Sequence, residues 1–229
     1  MTEFTAWAGE HHLLILLVIG TLLSSVWLAF IQKRLVIKWW TAGLLAAAHT
    51  LTGVFSVKAF AFMEAGFDTS SLGSMSLYGG VFFMPLTYLV GAKLAKCASG
   101  DVCDVFTPAM IVTLMCARIN CIISGCCAGM PIPGTSLQWP TRELEIVFYI
   151  AALVWLGRRI TKNMTPGTAY PLYMAAYGGF RFIIEWFRRS GFSGLHPAHI
   201  WSIISLALGL SIYFELMSKK SEFGKERRK

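Results

Sequence analysis

The sequence has few charged residues. Asp, Glu, Lys and Arg together make up 14% of the 229 residues, whereas hydrophobic residues make up 55% and the mean hydropathy is +0.60. This composition excludes a soluble globular domain and indicates a polytopic membrane protein. The formal net charge is +8, but the basic residues lie between apolar runs and form neither a basic face nor a nucleic-acid motif. We therefore predict no nucleic-acid partner.

The cysteines lack the spacing of a metal or redox motif. All six lie between Cys97 and Cys127, yet they contain no Cys-x-x-Cys pair and no histidine accompanies them, so we predict no metal site. A membrane thiol-disulfide protein that uses Cys121, Cys126 and Cys127 is a weaker alternative, because adjacent cysteines form strained, reducible bonds.

The sequence also lacks a secretory signal and an internal repeat. Glu3 and Glu10 precede the first apolar run in place of basic residues, and no small-residue cleavage site follows Phe30, so we expect this run to be a retained helix. Repeats and broken helices, which many transporters contain, are missing too. A transporter or a non-catalytic lipid-binding protein stays open as an alternative, because polar helix faces would also line a passage.

Seven apolar runs have lengths suited to a bilayer. They cover residues 13–30, 38–57, 79–96, 105–125, 143–157, 168–187 and 198–217. Clusters of Lys and Arg follow the first, third, fifth and seventh runs, as expected for cytoplasmic segments. We predict an all-α polytopic integral membrane protein with about seven transmembrane helices, in one domain over residues 1–229, with the N-terminus outside and the C-terminus in the cytoplasm.

The apolar segment of residues 117–133 contains polar groups that are unusual in a membrane. A charge such as that of Arg118 costs at least about 2.5–3.5 kcal/mol near the bilayer centre and usually faces protein or water. On a helix one face would contain Arg118, Cys121, Ile122, Gly125 and Gly129. We predict that this face, with Asn120 beside it, is the floor of an active site. The alternative is an arginine that snorkels to the head groups beside a packing glycine pair.

A polar stripe follows the sixth apolar run. Its members, spaced by three or four residues so that they share one helix face, are Tyr170, Tyr173, Tyr177, Arg181, Glu185 and Arg188. Arg181 and Glu185 are predicted to form an ion pair, which by itself could be a structural lock between helices. Together with Arg118, however, Arg181 supplies a second guanidinium fork, and two such forks suit a phosphate.

Other basic residues lie where membrane topology gives no reason for positive charge. Besides Arg118 and Arg181 they are Lys58, Arg142 and the patch of Arg188 and Arg189. We predict that this set binds an anion.

The start of the third apolar run carries a weaker signal. Gly79 and Gly80 would let the backbone approach a ligand closely. Tyr78 before them is either a hydrogen-bond donor to a phosphate or glycerol oxygen or an interfacial aromatic anchor.

The histidines and the entry to the fifth helix favour structural roles. Residues 139–145 predict a helix start whose glutamates complement the helix dipole. His49 is interpreted as packed and hydrogen-bonded rather than functional, and His196 and His199 as head-group residues.

Residues 75–210 resemble the bacterial prolipoprotein diacylglyceryl transferases. The segment YGGFRFIIEWFR at 177–188 closely matches the family's Tyr-Gly-x-x-Arg-Phe-x-x-Glu-x-x-Arg motif, and this match is specific. Three further segments look like family segments: MSLYGG at 75–80, ARINC at 117–121 with the glycines that follow, and WPTRELE at 139–145.

The resemblance implies a seven-helix enzyme of the bacterial inner membrane with its active site toward the outer leaflet. It would move a diacylglyceryl group from phosphatidylglycerol to the thiol of a prolipoprotein lipobox cysteine and release glycerol 1-phosphate, without a cofactor. Arg118 and Arg181 would hold the lipid phosphate, Glu185 would orient Arg181, and Gly129 would shape the cavity.

The complete predicted site has two parts. The catalytic residues are Arg118, Arg181, Glu185 and Tyr78, and the substrate-binding residues are Gly79, Gly80, Asn120, Cys121, Gly125, Gly129, Tyr177 and Arg188. Three positions depart from the family pattern: Tyr78 and Trp139 stand where the family has histidine, and Cys121 where it has asparagine. These departures leave a second interpretation, in which the protein is a divergent member of the family that transfers the lipid group to a different acceptor.

Overall fold

The structure is a computed structural model that describes residues 11–35, 38–162, 164–188 and 196–226. In these ranges the chain forms seven α-helices: α1 (His12–Leu35), α2 (Thr41–Glu64), α3 (Tyr78–Ala95), α4 (Ser99–Ile123), α5 (Thr141–Thr161), α6 (Ala169–Glu185) and α7 (Pro197–Glu226). A 3₁₀ turn at Thr69–Gly73 links α2 to α3. The predictions for the N-terminal ten residues, Arg189 and the last three basic residues lie outside the described residues.

Each helix coincides with one predicted apolar run, which confirms the all-α architecture. Four helices are long and apolar enough to cross a membrane, over His12–Lys33, Thr41–Glu64, Ser99–Ile123 and Pro197–Lys220. Large apolar side chains such as Val26, Phe30 and Phe55 are about 70% exposed on α1 and α2. An exposed apolar surface of this kind is expected where helices face lipid.

The fourth helix is the centre of the bundle. It packs against α1, α2, α3, α5 and α6, and its buried residues run from Val102 to Arg118 on all sides. A helix that is apolar all round fits this position, because every face meets another helix.

Helices α6 and α7 approach each other more closely than ordinary side chains allow. A Cβ atom at Gly178 would clash with the backbone of Ser202 and Leu206, and one at Gly209 would clash with the backbone of Pro171 and Ala175. Small residues at such contacts let helix backbones touch in a membrane. The contact holds the arginine-bearing face of α6 in a fixed position relative to α7.

A buried aspartate sets the register between α4 and α6. The carboxylate of Asp104 is fully buried and accepts hydrogen bonds from the backbone N–H groups of Gly167 and Ala169, both at 2.8 Å. It therefore satisfies free donors at the start of α6. At about 1.5 Å per residue, Arg118 and Arg181 lie similar distances beyond this anchor along α4 and α6, so both reach the same level of the bundle.

We expect Asp104→Ala to lower the free energy of unfolding by about 3 kcal/mol, because it leaves the buried N–H group of Ala169 and the half-buried one of Gly167 without their charged acceptor. Thermal unfolding in detergent, followed by circular dichroism, measures this effect. Asp68→Ala is the matched control, because Asp68 accepts a hydrogen bond from Ser70 N at an exposed 3₁₀ turn. Equal losses in the two variants would contradict the anchoring role of Asp104.

Candidate active site

A polar cavity of about 300 Å³ opens where α3, α4, α6 and α7 meet. Eight of the twelve predicted site residues line it: Tyr78, Arg118, Asn120, Cys121, Tyr177, Arg181, Glu185 and Arg188. The two helix faces predicted separately on α4 and α6 are thus parts of one site.

The two buried arginines of the cavity share a carboxylate from a third helix. Glu145 of α5 lies 2.5 Å from Arg118 Nη2 through its Oε2 and 2.9 Å from Arg181 Nη1 through its Oε1. All three side chains are at most 6% exposed. We interpreted Glu145 as a helix-dipole residue, and this was wrong: α5 packs on α4, which buries Glu145 between the arginines.

The ion network continues from Arg181 to the end of α6. Glu185 Oε2 lies 2.7 Å from Arg181 Nη2, which confirms the predicted pair, and 3.5 Å from Arg188 Nη1. Glu185 Oε1 is 3.9 Å from His196 Nδ1 at the cavity wall. His196, which we assigned to the head-group layer, therefore belongs to the site, whereas His199 is buried against Trp186.

The network has an excess of positive charge. Three guanidinium groups of Arg118, Arg181 and Arg188 face the two carboxylates of Glu145 and Glu185. Among the described residues, Arg118 Nε has no hydrogen-bond partner although it is buried. A buried donor without a partner is rare in proteins, and beside the surplus charge of the network it makes the arginine side of the cavity suited to an anion. Glu64 also lines the cavity.

The tyrosines of the site have structural contacts. The Tyr78 hydroxyl is 2.5 Å from Ser202 Oγ and 3.0 Å from the carbonyl oxygen of Ala198. The rings of Tyr78 and Tyr177 meet edge to face at 5.7 Å. These contacts fix both rings against the cavity, and they use the Tyr78 hydroxyl to join α3 to α7.

The predicted helical face of residues 118–129 ends early. Helix α4 ends at Ile123, and Gly125 turns the chain with a φ of +68°. Gly129 then lies in an extended segment that pairs with Arg188, and Met130 N donates to Phe187 O at 2.9 Å. The prediction that Gly125 and Gly129 continue the helix face was wrong, because the turn at Gly125 reverses the chain.

The remaining glycines do not reach the cavity lining in the described residues. Gly79 faces the backbone of Ser56 on α2, and Gly80 faces Leu114 on α4. Because glycine has no side chain, α3 packs closely against α2 and α4 at these two positions. The predicted contact of both glycines with a ligand is replaced by these helix contacts. Trp139, at a position where the family resemblance has histidine, packs on Phe187 with ring centroids 4.7 Å apart.

We expect Gly129→Ala to displace Arg188, because the new Cβ would lie well inside van der Waals contact with the carbonyl oxygen of Trp139. Overpacking of this kind costs about 1–3 kcal/mol, so a lower melting temperature is the expected result. Gly43→Ala is the control, since Gly43 is an exposed helical residue with nothing within 4 Å of an added Cβ. If the two variants melt alike, Gly129 is not required by this contact.

Three thiols lie at one side of the cavity. The Sγ atoms of Cys121, Cys126 and Cys127 all lie within 4.8 Å of one another. A hydrogen bond with Cys121, aided by the charges of Arg188 and Arg118, lowers the pKa of the Cys127 thiol from 9.0 to about 5, against the opposing effect of partial burial. Arg142 Nη1 donates to the carbonyl oxygen of Cys126 at 3.2 Å and so holds the turn.

An apolar cleft of about 150 Å³ adjoins the polar cavity. The cavity and the cleft share Leu13, Met75, Leu77 and Ala117 as wall residues. Beyond these residues the cleft runs between α1 and α2, where Lys58 contributes to its lining. A charged cavity beside an apolar cleft has the polarity of a phospholipid, with its anionic head and apolar chains.

Comparison with known proteins identifies the family of this chain. Residues 18–215 match the family described as prolipoprotein diacylglyceryl transferase. The chain belongs to the prolipoprotein diacylglyceryl transferase family. The resemblance found in the motifs is thereby confirmed, and the matched range contains every residue of the ion network.

Individual relatives are distant. A phosphatidylglycerol–prolipoprotein diacylglyceryl transferase of Dehalococcoides mccartyi is 22% identical over 169 residues, which are 66% of this chain and 65% of that protein. The enzyme of the same name from Clostridium tetani is 23% identical over 157 residues, 60% of this chain and 62% of that protein. The chain thus spans somewhat less than two thirds of the length of these relatives.

Glu145 and His196 belong to the ion network but not to the predicted site, and Glu64 and Cys127 are further cavity residues outside that prediction. Glu145 ends the WPTRELE segment that resembles the family, so the signal was present. Its spacing from Pro140 also fits a helix start, and that local explanation concealed its long-range contacts. His196 gave no such signal, because its partner Glu185 comes from another helix.

Proposed function

We propose that this protein transfers a diacylglyceryl group from an anionic phospholipid, such as phosphatidylglycerol, to a thiol. The observation that carries the proposal is the buried network of three arginines and two glutamates in a cavity that lies beside an apolar cleft. Lipid phosphate would lie at the arginines, and the cleft would hold the part of the acyl chains next to the head group.

The carboxylates would keep the arginines oriented for the phosphate. Glu145 fixes one guanidinium nitrogen each of Arg118 and Arg181, and Glu185 fixes another of Arg181. Donors that are already oriented stabilise developing charge without having to reorganise during the reaction. The phosphate charge would balance the surplus positive charge of the network.

In the proposed reaction, a thiolate sulfur attacks the glycerol carbon that bears the phosphate ester. A C–S bond forms, the C–O bond breaks, and the phosphate oxygen keeps the electron pair as glycerol phosphate leaves. Arg118 and Arg181 would stabilise the negative charge on the leaving phosphate, and the positive charge of Arg188 would stabilise it further. His196 is placed at the wall of the cavity, where it can take the thiol proton.

The acceptor that we propose is the lipobox cysteine of a prolipoprotein, as the names of the relatives indicate for those proteins. The substitutions Tyr78 and Cys121 at family positions favour a second candidate, a different thiol-bearing acceptor handled by the same lipid site.

We further propose that all seven helices span the bacterial inner membrane, with the N-terminus outside and the site toward the outer leaflet. The four long apolar helices support the membrane location. The basic residues Arg158 and Arg159 lie at the end of α5, as the positive-inside rule would require of cytoplasmic ends, whereas the site lies at its start.

The deciding experiment incubates the purified protein with phosphatidylglycerol and a lipobox peptide, and measures glycerol phosphate release and peptide mass together. We expect a peptide heavier by one diacylglyceryl group and an equal amount of glycerol phosphate. Release without peptide modification would favour the different acceptor. If neither product forms with phosphatidylglycerol, the transferase proposal fails and the lipid-binding alternative takes its place.

A further inference from the structure

The cluster of Cys121, Cys126 and Cys127 is not explained by lipid binding. Cys121 is in the last turn of α4, and the turn that follows brings the next two thiols back beside it. Gly125 and Cys127 both adopt left-handed backbone conformations, with φ of +68° and +57°. Such a conformation is uncommon for a residue other than glycine. Here it is part of the turn that brings the three sulfur atoms close together.

The separation of the three sulfur atoms suits a single metal ion. They lie within 4.8 Å of one another, and three thiolates on one tetrahedral Zn²⁺, each about 2.3 Å from the ion, are about 3.8 Å apart. Small side-chain rotations would close the difference. Soft thiolate ligands select Zn²⁺ and Cu⁺ over hard cations such as Mg²⁺.

The cavity places positive charge beside the cluster. Arg118 and Arg188 line the same cavity as Cys121 and Cys127. Three thiolates with one divalent ion carry a net charge of −1, which these arginines would stabilise. The carbonyl contact from Arg142 to Cys126 holds the turn from its other side.

The spacing of the cysteines predicts no metal site and the family resemblance implies no cofactor, but the turn after α4 brings the three sulfur atoms together. We therefore propose that Cys121, Cys126 and Cys127 bind one thiophilic d¹⁰ metal ion, with Zn²⁺ as its representative. Cys121 and Cys127 line the polar cavity, so the fourth coordination position of the metal ion would open toward this cavity. Three protein ligands with one open position is the arrangement of a catalytic zinc site, in contrast to a closed structural one.

The role of the ion rests on the transferase function proposed above. An acceptor thiol that occupies the fourth position would be deprotonated by coordination, and His196 at the cavity wall would take the proton. Its sulfur then forms the C–S bond while glycerol phosphate leaves with the electron pair of the broken C–O bond. The ion is unchanged, and no oxidation or reduction takes place.

The test measures metal content before it measures activity. The full chain is purified in detergent with a non-chelating reductant, incubated with Zn²⁺ and dialysed, and bound zinc is determined by mass spectrometry. We expect one ion per chain, and less than a tenth of that in Cys121→Ser, Cys126→Ser and Cys127→Ser. Cys97→Ser removes a thiol outside the cluster and is expected to keep the full amount.

Two further measurements use the native sequence, so that a misfolded variant cannot account for the result. In the native sequence, Zn²⁺ should protect three cysteines from maleimide, and Co²⁺ should give the thiolate charge-transfer and visible bands of a tetrahedral site. The site proposal is overturned if no ion is retained, if the three thiols react equally fast with and without Zn²⁺, or if they form a disulfide under the reducing conditions. Incubation with Cu⁺ in place of Zn²⁺ identifies the preferred ion.

Activity then tests the role separately. Removal of the ion by a chelator should reduce peptide modification at least tenfold, and restored Zn²⁺ should recover it. Unchanged modification after removal would overturn the role of the ion. Bound zinc without any transfer in either state would contradict the transferase function while it supports the metal site.

Discussion

Arg181→Ala is expected to reduce diacylglyceryl transfer by about a hundredfold to a thousandfold, the range seen when one stabilising donor is removed from an active site. Arg181 contacts both Glu145 and Glu185 and is 6% exposed, so alanine removes the guanidinium that both carboxylates share. Glycerol phosphate release from phosphatidylglycerol, with peptide mass as a second readout, measures the effect.

Arg181→Lys separates charge from geometry. Lysine keeps the positive charge but lacks the planar fork that reaches two carboxylates at once, so we expect activity between that of the native chain and that of Arg181→Ala. Arg159→Ala is the matched control, because Arg159 is exposed on α5, where its guanidinium lies over Trp155. A normal rate in Arg181→Ala would refute the placement of the lipid phosphate at this residue.

Glu145→Gln is expected to lower the free energy of unfolding by about 3–5 kcal/mol, the cost of removing one partner from a buried ion pair. The change preserves the shape of the side chain, but Arg118 and Arg181 lose the carboxylate that lies between them. For a chain of this size the melting temperature should fall by on the order of 10 °C, which thermal unfolding in detergent will measure.

Anionic lipid provides a specific readout for Glu145→Gln. If the arginines bind a phosphate, phosphatidylglycerol should raise the melting temperature of the variant more than that of the native chain, because the lipid replaces the missing negative charge. The control is Glu143→Gln, whose carboxylate is 48% exposed and lies 3.8 Å from Arg142. Equal responses of both variants to the lipid would show that the network is not the anion site.

The ion network explains how several charges can lie among apolar helices. Each of its carboxylates contacts two arginines, at distances from 2.5 to 3.5 Å. Desolvation of any one of these charges alone would cost several kcal/mol. Because the chain of contacts alternates in sign, an added anion at the arginines completes it, which is the electrostatic basis of the proposed lipid site.

The features that sequence reasoning predicted well are those that depend on local geometry. Each helix follows from a long apolar run, and the Arg181 to Glu185 pair follows from the helical repeat, because residues four apart share a face. The cavity residues on α4 up to Cys121 and on α6 share that origin. The failures begin at Gly125, where a turn ends the periodicity on which the prediction of Gly129 depended.

The sequence by itself determined the helices, the polar stripe and the arginines, because hydrophobicity and helical periodicity act between near neighbours along the chain. Only the tertiary structure decided that Glu145 would join Arg118 to Arg181, because Glu145 and Arg181 are 36 residues apart in the sequence. These contacts form only when α4, α5 and α6 pack together, since burial leaves each charge no partner except those that the packing supplies.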